Sequence, residues 1–164
     1  MEIRTLEPHE VSFHRELRIR VLSDSPDSFR ETASEVEARP RSYWEHLTRS
    51  VTERNRHVMF VAFESDAAVG TTYGILDHKT SDAARVGGMW VDPSQRRRGI
   101  GRALLTAVLA WARERGLKRV GLWAPMSEPA AVALYSRAGF KGTGRQRPMP
   151  GNADSQIVEM EIEL

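Results

Sequence analysis

The sequence predicts one α/β domain spanning residues 1–164, built on a mixed, mostly antiparallel sheet flanked by helices. Three observations lead there. Residues 57–92 hold three strand-like runs joined by short polar links, the pattern of antiparallel neighbours. Residues 84–124 then read as strand, long amphipathic helix and strand, the one parallel crossover. Residues 157–163 alternate apolar and acidic side chains at the period of a half-buried strand.

In chain order, residues 2–6 predict a short strand, and Pro8 opens a helix to about Leu22 with Phe13, Leu17 and Val21 on one stripe. Residues 23–29 read as a loop. A second helical region follows and restarts at Pro40, with Tyr43, Trp44, Leu47 and Val51 at helical spacing. Residues 57–64 are apolar on both sides, so both faces of that strand should be covered. The next two strands fall at about 68–77 and 84–92. The helix over 101–115 places Leu104, Val108 and Trp111 on one face, with Leu105 and Leu109 beside them; Gly116 suits its C-terminal end. A strand at 119–124 and a helix at about 128–137 follow. In the last strand Val158, Met160 and Ile162 should point inward, and Glu159, Glu161 and Glu163 outward.

Composition narrows the function. With 28% charged and 40% hydrophobic residues the chain is of an ordinary globular kind. No apolar run reaches the roughly 20 residues of a membrane span, and the charged first residues do not read as a secretion signal; a cytoplasmic protein is expected. Without cysteine there is no disulfide and no thiol nucleophile. The five histidines lack zinc-ligand spacing, so no metal is expected. Net charge is only +2, yet residues 95–119 carry eight basic side chains and one acidic one. A local basic focus in a nearly neutral chain points to one anionic ligand rather than to nucleic acid.

That focus lies in Val91-Asp92-Pro93-Ser94-Gln95-Arg96-Arg97-Arg98-Gly99-Ile100-Gly101-Arg102, a passage from a strand through a glycine-containing loop into a helix. Free main-chain N–H groups and the positive end of the helix dipole converge at such a place, and together with arginines they suit a phosphate or pyrophosphate. The nucleotide P-loop pattern is absent. The dinucleotide fingerprint would need glycine at Leu104. Just upstream, Gly87 and Gly88 inside a strand mark a bulge, a close approach, or a turn.

These residues carry a resemblance. Arg96-x-x-Gly99-x-Gly101, preceded by an apolar strand and Val91-Asp92-Pro93, resembles the Gln/Arg-x-x-Gly-x-Gly/Ala signature of the GNAT superfamily of acyl-CoA-dependent N-acetyltransferases. Ala131-x-x-Leu134-Tyr135-x-x-x-Gly139-Phe140 resembles a second segment of that family. The likeness is firm from about Ala84 to Phe140. It implies the GNAT fold and an N-acetyltransferase that binds acetyl-CoA, whose thioester a primary amine attacks directly, without an acyl-enzyme. The amine's identity stays open, as does a homodimer. A non-catalytic acyl-CoA-binding module is the alternative.

By the same resemblance, the turn formed by Arg96, Arg97, Arg98, Gly99, Ile100, Gly101 and Arg102 binds the pyrophosphate of coenzyme A, and Met89, Trp90 and Val91 lie along its pantetheine arm. Tyr135 matches the tyrosine that faces the departing thiolate. Where the family often has asparagine seven residues before it, this chain has Glu128. Residues 84–91 offer no carboxylate as general base, which leaves Asp77, Glu128, Glu45 or an ordered water. Acceptor contacts would come from residues 23–44 and about 145–156, where Phe29, Tyr43 and Trp44 among carboxylates would suit a cationic amine with an apolar body; the same aromatic set also reads as core packing, the favoured alternative.

Overall fold

A computed structural model describes residues 1–53 and 55–164. Seven strands form one sheet in the order β1-β2-β3-β4-β5-β7-β6. The strands are β1 (Glu2–Thr5), β2 (His57–Glu64), β3 (Ala67–Leu76), β4 (Ala83–Val91), β5 (Arg119–Pro125), β6 (Lys141–Met149) and β7 (Asn152–Glu163). All neighbours pair antiparallel except β4 and β5. Five helices accompany them: α1 (Val11–Asp24), α2 (Ala33–Glu37), α3 (Arg41–Thr52), α4 (Ile100–Glu114) and α5 (Pro129–Arg137). No helix among the described residues is long and apolar enough to cross a membrane.

The amphipathic stripe of α4 seats the helix on the sheet. Leu104, Leu105, Val108, Trp111 and Ala112 are all buried. The helix comes close because β3 has glycines beneath it: a Cβ at Gly70 would meet Ile100 and Leu104 at 3.0 Å, and one at Gly74 would meet Trp111 at 2.8 Å. The other face of β2 and β3 is covered by α1 and α3, through Leu17, Val21, Val51, Met59 and Val61. Strand β2 is therefore sandwiched, as its two-sided apolar sequence requires.

Two boundaries and the setting of one side chain differ from the sequence reading. Helix α1 starts at Val11, not Pro8. The Glu10 carboxylate accepts the Glu7 amide at 2.8 Å and holds Arg4 at 2.7 Å, fixing a turn ahead of the helix. The sequence reading has no strand between α5 and residue 157, but residues 141–156 belong to the β6–β7 hairpin, whose exposed, glycine-containing first strand lacks an alternating pattern. Glu159 does not face solvent. It is 2% exposed, with Arg145 at 2.5 Å, Arg85 at 3.3 Å and the Thr143 hydroxyl at 2.9 Å. Alternation told its side of the sheet, but not that long cations from β4 and β6 would cover that side.

One polar link crosses the core between α1, α3 and β3. His14 is fully buried, with Nδ1 2.9 Å from Thr48 Oγ1 and Nε2 3.1 Å from the Tyr73 hydroxyl. Burial pushes its pKa down to about 4, so the ring is neutral in the folded chain. The unfolded chain binds the extra proton first as pH falls. Stability is therefore lost between the unfolded value near pH 6.5 and the folded value near 4. Urea unfolding at stepped pH should show a decline of roughly 3 kcal/mol from this group across that window, and His14→Gln, less stable at pH 7, should flatten it.

Candidate active site

The loop after β4 is built by its own side chains. Asp92 accepts the Ser94 amide at 2.9 Å and the Ser94 hydroxyl at 2.6 Å, which sets a 3-10 turn over Pro93–Gln95. Its other oxygen holds Arg20 of α1. Arg97 and Gly99 then take left-handed φ values of +62° and +84°. Glycine adopts that conformation freely; arginine does so only under constraint. Successive reversals of this kind turn main-chain N–H groups to one side of the loop. Helix α4 follows with no side chain capping it, and the Ala103 amide bonds to the Gly99 carbonyl at 3.0 Å. The amides of residues 100–102 are therefore the orphan donors of the first turn, at the positive end of the dipole.

The four arginines of this turn have different surroundings. Arg96 Nε donates to the Val91 carbonyl at 3.1 Å, and its guanidinium is 3.9 Å from Asp24. Arg98 donates to the Gln95 side chain. Arg97 and Arg102 have no ion-pair or side-chain hydrogen-bond partner among the described residues, and both line the adjacent cavity.

That cavity exists because the parallel ladder stops. Strands β4 and β5 pair only at Ala83–Arg119, Ala84–Val120 and Arg85–Gly121, although both run on. Beyond Arg85 the β5-facing edge of β4 has no strand partner. A bulge sits in the same stretch: Tyr73 opposes Gly87, while Thr71 already opposes Trp90. Gly88 is at φ +57°, and a Cβ there would lie 2.7 Å from the Tyr73 ring. The Gly87-Gly88 pair is thus a bulge within the strand, not a turn. A bulge bends its strand and increases its twist, which turns β4 away from β5.

The resulting cavity has a volume of about 1180 Å³, more than the roughly 300–1,000 Å³ of ordinary small-ligand pockets. Of the residues singled out in the sequence, Met89, Trp90, Val91, Arg96, Arg97, Gly99, Ile100, Gly101, Arg102 and Tyr135 all line it. Arg98 does not. Tyr135 is held by α5 with its ring tilted against Phe140 at 6.1 Å. Its hydroxyl has no hydrogen-bond partner among the described residues, and burial pushes its pKa up to about 12.

The carboxylates fall in separate places. Glu128, just before α5, lines the cavity. Glu45 is exposed and bonded to Arg41 at 2.9 Å. Asp77 holds Arg85 at 3.2 Å and the Lys79 amide at 2.7 Å, past the end of β3 and outside the cavity lining. Sequence reading missed Asp24, which accepts the Trp90 indole N–H at 2.8 Å across 66 residues of chain. For Tyr43 and Trp44 the sequence offered two readings, acceptor contact or core packing, and the structure takes the second. Trp44 is only 1% exposed and packs with Leu22 and Val36, with Tyr43 against that cluster, so neither reaches the cavity. From that region only Ser25, Ser28, Phe29 and Arg30 line it. Among the described residues no cluster of three or more His, Asp or Glu is placed to hold a metal ion.

Residues 19–140 match the model of the Acetyltransferase (GNAT) family, and the chain belongs to that family. It is 30% identical over 139 residues to the ribosomal protein bS18-alanine N-acetyltransferase of Escherichia coli K12, covering 80% of this chain and 90% of that one. It is 31% identical over 128 residues to the mycothiol acetyltransferase of Salinispora tropica, covering 76% of this chain but only 39% of that relative. The fold is shared with a ribosomal-protein-alanine N-acetyltransferase from Brucella melitensis, at a TM-score of 0.80, 16% identity and full coverage of both chains. It is shared too with yncA of Salmonella typhimurium in its acetyl-CoA complex, at a TM-score of 0.78, 16% identity and coverage of 100% and 94%.

The bulge is the feature most open to test. Gly88→Ala forces a side chain into a left-handed position and against Tyr73, and should cost on the order of 2 kcal/mol in urea unfolding. Gly142→Ala, with nothing within 4 Å of the added Cβ, should stay within about 0.5 kcal/mol of the parent.

Proposed function

We propose that the protein transfers the acetyl group of acetyl-CoA to a primary amine, and that both substrates meet in the opening between β4 and β5. One observation carries this reading: a single cavity joins the uncapped start of α4, the unpaired edge of β4 and the Tyr135 hydroxyl. The residues fit the cosubstrate. The amides of 97–102 and the unpaired Arg97 and Arg102 would hold the pyrophosphate. The Met89–Val91 edge, lacking a strand on one side, would offer main-chain groups to the amide-rich pantetheine arm, and one N–H there would polarise the thioester carbonyl.

The step balances without a protein nucleophile. The amine lone pair forms the C–N bond, the C–S bond breaks with its electron pair on sulfur, and the surplus proton on nitrogen passes, directly or through water, to Glu128 and from there to solvent. Solvent in turn supplies the proton that makes the free thiol, so acetyl-CoA and amine become amide and coenzyme A. Tyr135 would donate a hydrogen bond to the departing sulfur. A thiol titrates near about 8.5, well below Tyr135 at about 12, so full proton transfer to the thiolate runs uphill. The tyrosine therefore acts by staying protonated. Glu128 is the carboxylate that faces the cavity from the α5 side, and in this reading it receives the amine's proton directly or through water.

Thiol release from acetyl-CoA with a panel of amines tests the proposal. Turnover is expected, and Tyr135→Phe should lower kcat by about 100-fold with little change in the acetyl-CoA KM. Acetyl-CoA binding with no thiol release on any amine would leave only a binding module.

A further inference from the structure

The geometry points to an acceptor that is an amino-acid-like molecule: an amine carrying a carboxylate on an apolar or aromatic body, the carboxylate held by Arg30 and Arg147. This rests on the acetyltransferase reading above and adds its substrate class.

The cavity has two sides. On the α4 and α5 side its unpaired cations, Arg97, Arg102 and Arg137, surround the place assigned to phosphates. On the opposite face of the sheet its wall is apolar, made by Phe29, Trp123, Pro125, Met149 and Ile157. One cation, Arg30, lines that wall. Arg147 is not itself part of the lining, but its guanidinium lies 4.2 Å from the centre of the ring of Trp123, which is.

Neither has a carboxylate. Glu159, the buried acid nearest in sequence to this wall, is taken by Arg85 and Arg145, with Thr143 completing its shell. Glu31, next to Arg30, is held by Arg18 and Arg39. Asp24 accepts from Trp90 and Asp27 does not line the cavity. Among the described residues Arg30 and Arg147 therefore have no ion-pair partner, whereas nine other arginines do. Two uncompensated guanidinium groups repel a polycation and attract an anion.

Their settings suit a carboxylate. Arg147 stacks on an indole face, which occupies its plane and leaves its N–H edge for a two-pronged contact. Arg30 is placed by backbone packing. A Cβ at Gly151, in the β6–β7 turn, would be 3.4 Å from the Arg30 carbonyl, so the loop bearing Arg30 abuts the hairpin bearing Arg147. The aromatic wall between them would take the acceptor's side chain.

The test compares thiol release with phenylalanine, phenethylamine, spermidine and a peptide beginning with alanine. Phenylalanine should exceed phenethylamine in kcat/KM by about 10-fold or more, the scale of charge-assisted hydrogen bonds, with spermidine the poorest. In Arg30→Gln and Arg147→Gln, whose urea unfolding should match the parent, the phenylalanine-to-phenethylamine ratio should collapse toward one, mainly through the phenylalanine KM. Preference for spermidine or the peptide, an initial ratio near one, or a ratio untouched by both substitutions would overturn the assignment while leaving acetyl transfer standing. Acetyl-CoA binding in calorimetry with no turnover of any amine would overturn both.

Discussion

The organising constraint of this molecule is a parallel ladder that ends too soon. Strands β4 and β5 share three paired positions and then part, although each is held along its other edge, β4 by β3 and β5 by β7 over seven positions. Neither strand is free to close the gap. A stretch of β4 is thus left with main-chain groups unpaired by any strand, a condition folded proteins rarely leave without a ligand or water to meet it. Everything placed in the opening, from the turn at Arg97 to the Tyr135 hydroxyl, depends on that parting.

The core props the opening from a distance. Tyr73 fills the space that Gly88 leaves, and its hydroxyl is tied through neutral His14 to Thr48 of α3. Helix α1 adds a second brace: Arg20 holds Asp92 and lies over the Trp90 ring, while Asp24 takes the Trp90 indole. The loop that brings Ser25, Ser28, Phe29 and Arg30 to the cavity begins where this helix ends. The same few residues thereby fix the turn ahead of α4 and the start of the apolar cavity wall, which links the packing of the helical layer to the shape of the cavity.

Local chemistry made much of this readable from the chain. The strand–turn–helix at 84–114 announces itself through apolar runs and paired glycines, and the positions it named, Arg98 apart, line one cavity. What the sequence hid was long-range. Trp123, Ile157 and Met149 share a wall only because β7 lies between β5 and β6, and no periodicity reports strand order. Glu159 looked solvent-facing because alternation gives a side of the sheet, not what covers it. Trp44 has the helical spacing of a buried residue, and helix packing took it into the core with Leu22 and Val36, away from the cavity.

The central claim is that the open edge of β4 and the uncapped first turn of α4 receive one ligand. Backbone amide NMR of the protein titrated with coenzyme A addresses it directly. The account requires shift changes and slowed hydrogen exchange concentrated at residues 89–91 and 97–102. Saturable binding that leaves those amides untouched, or no binding at all, would contradict it.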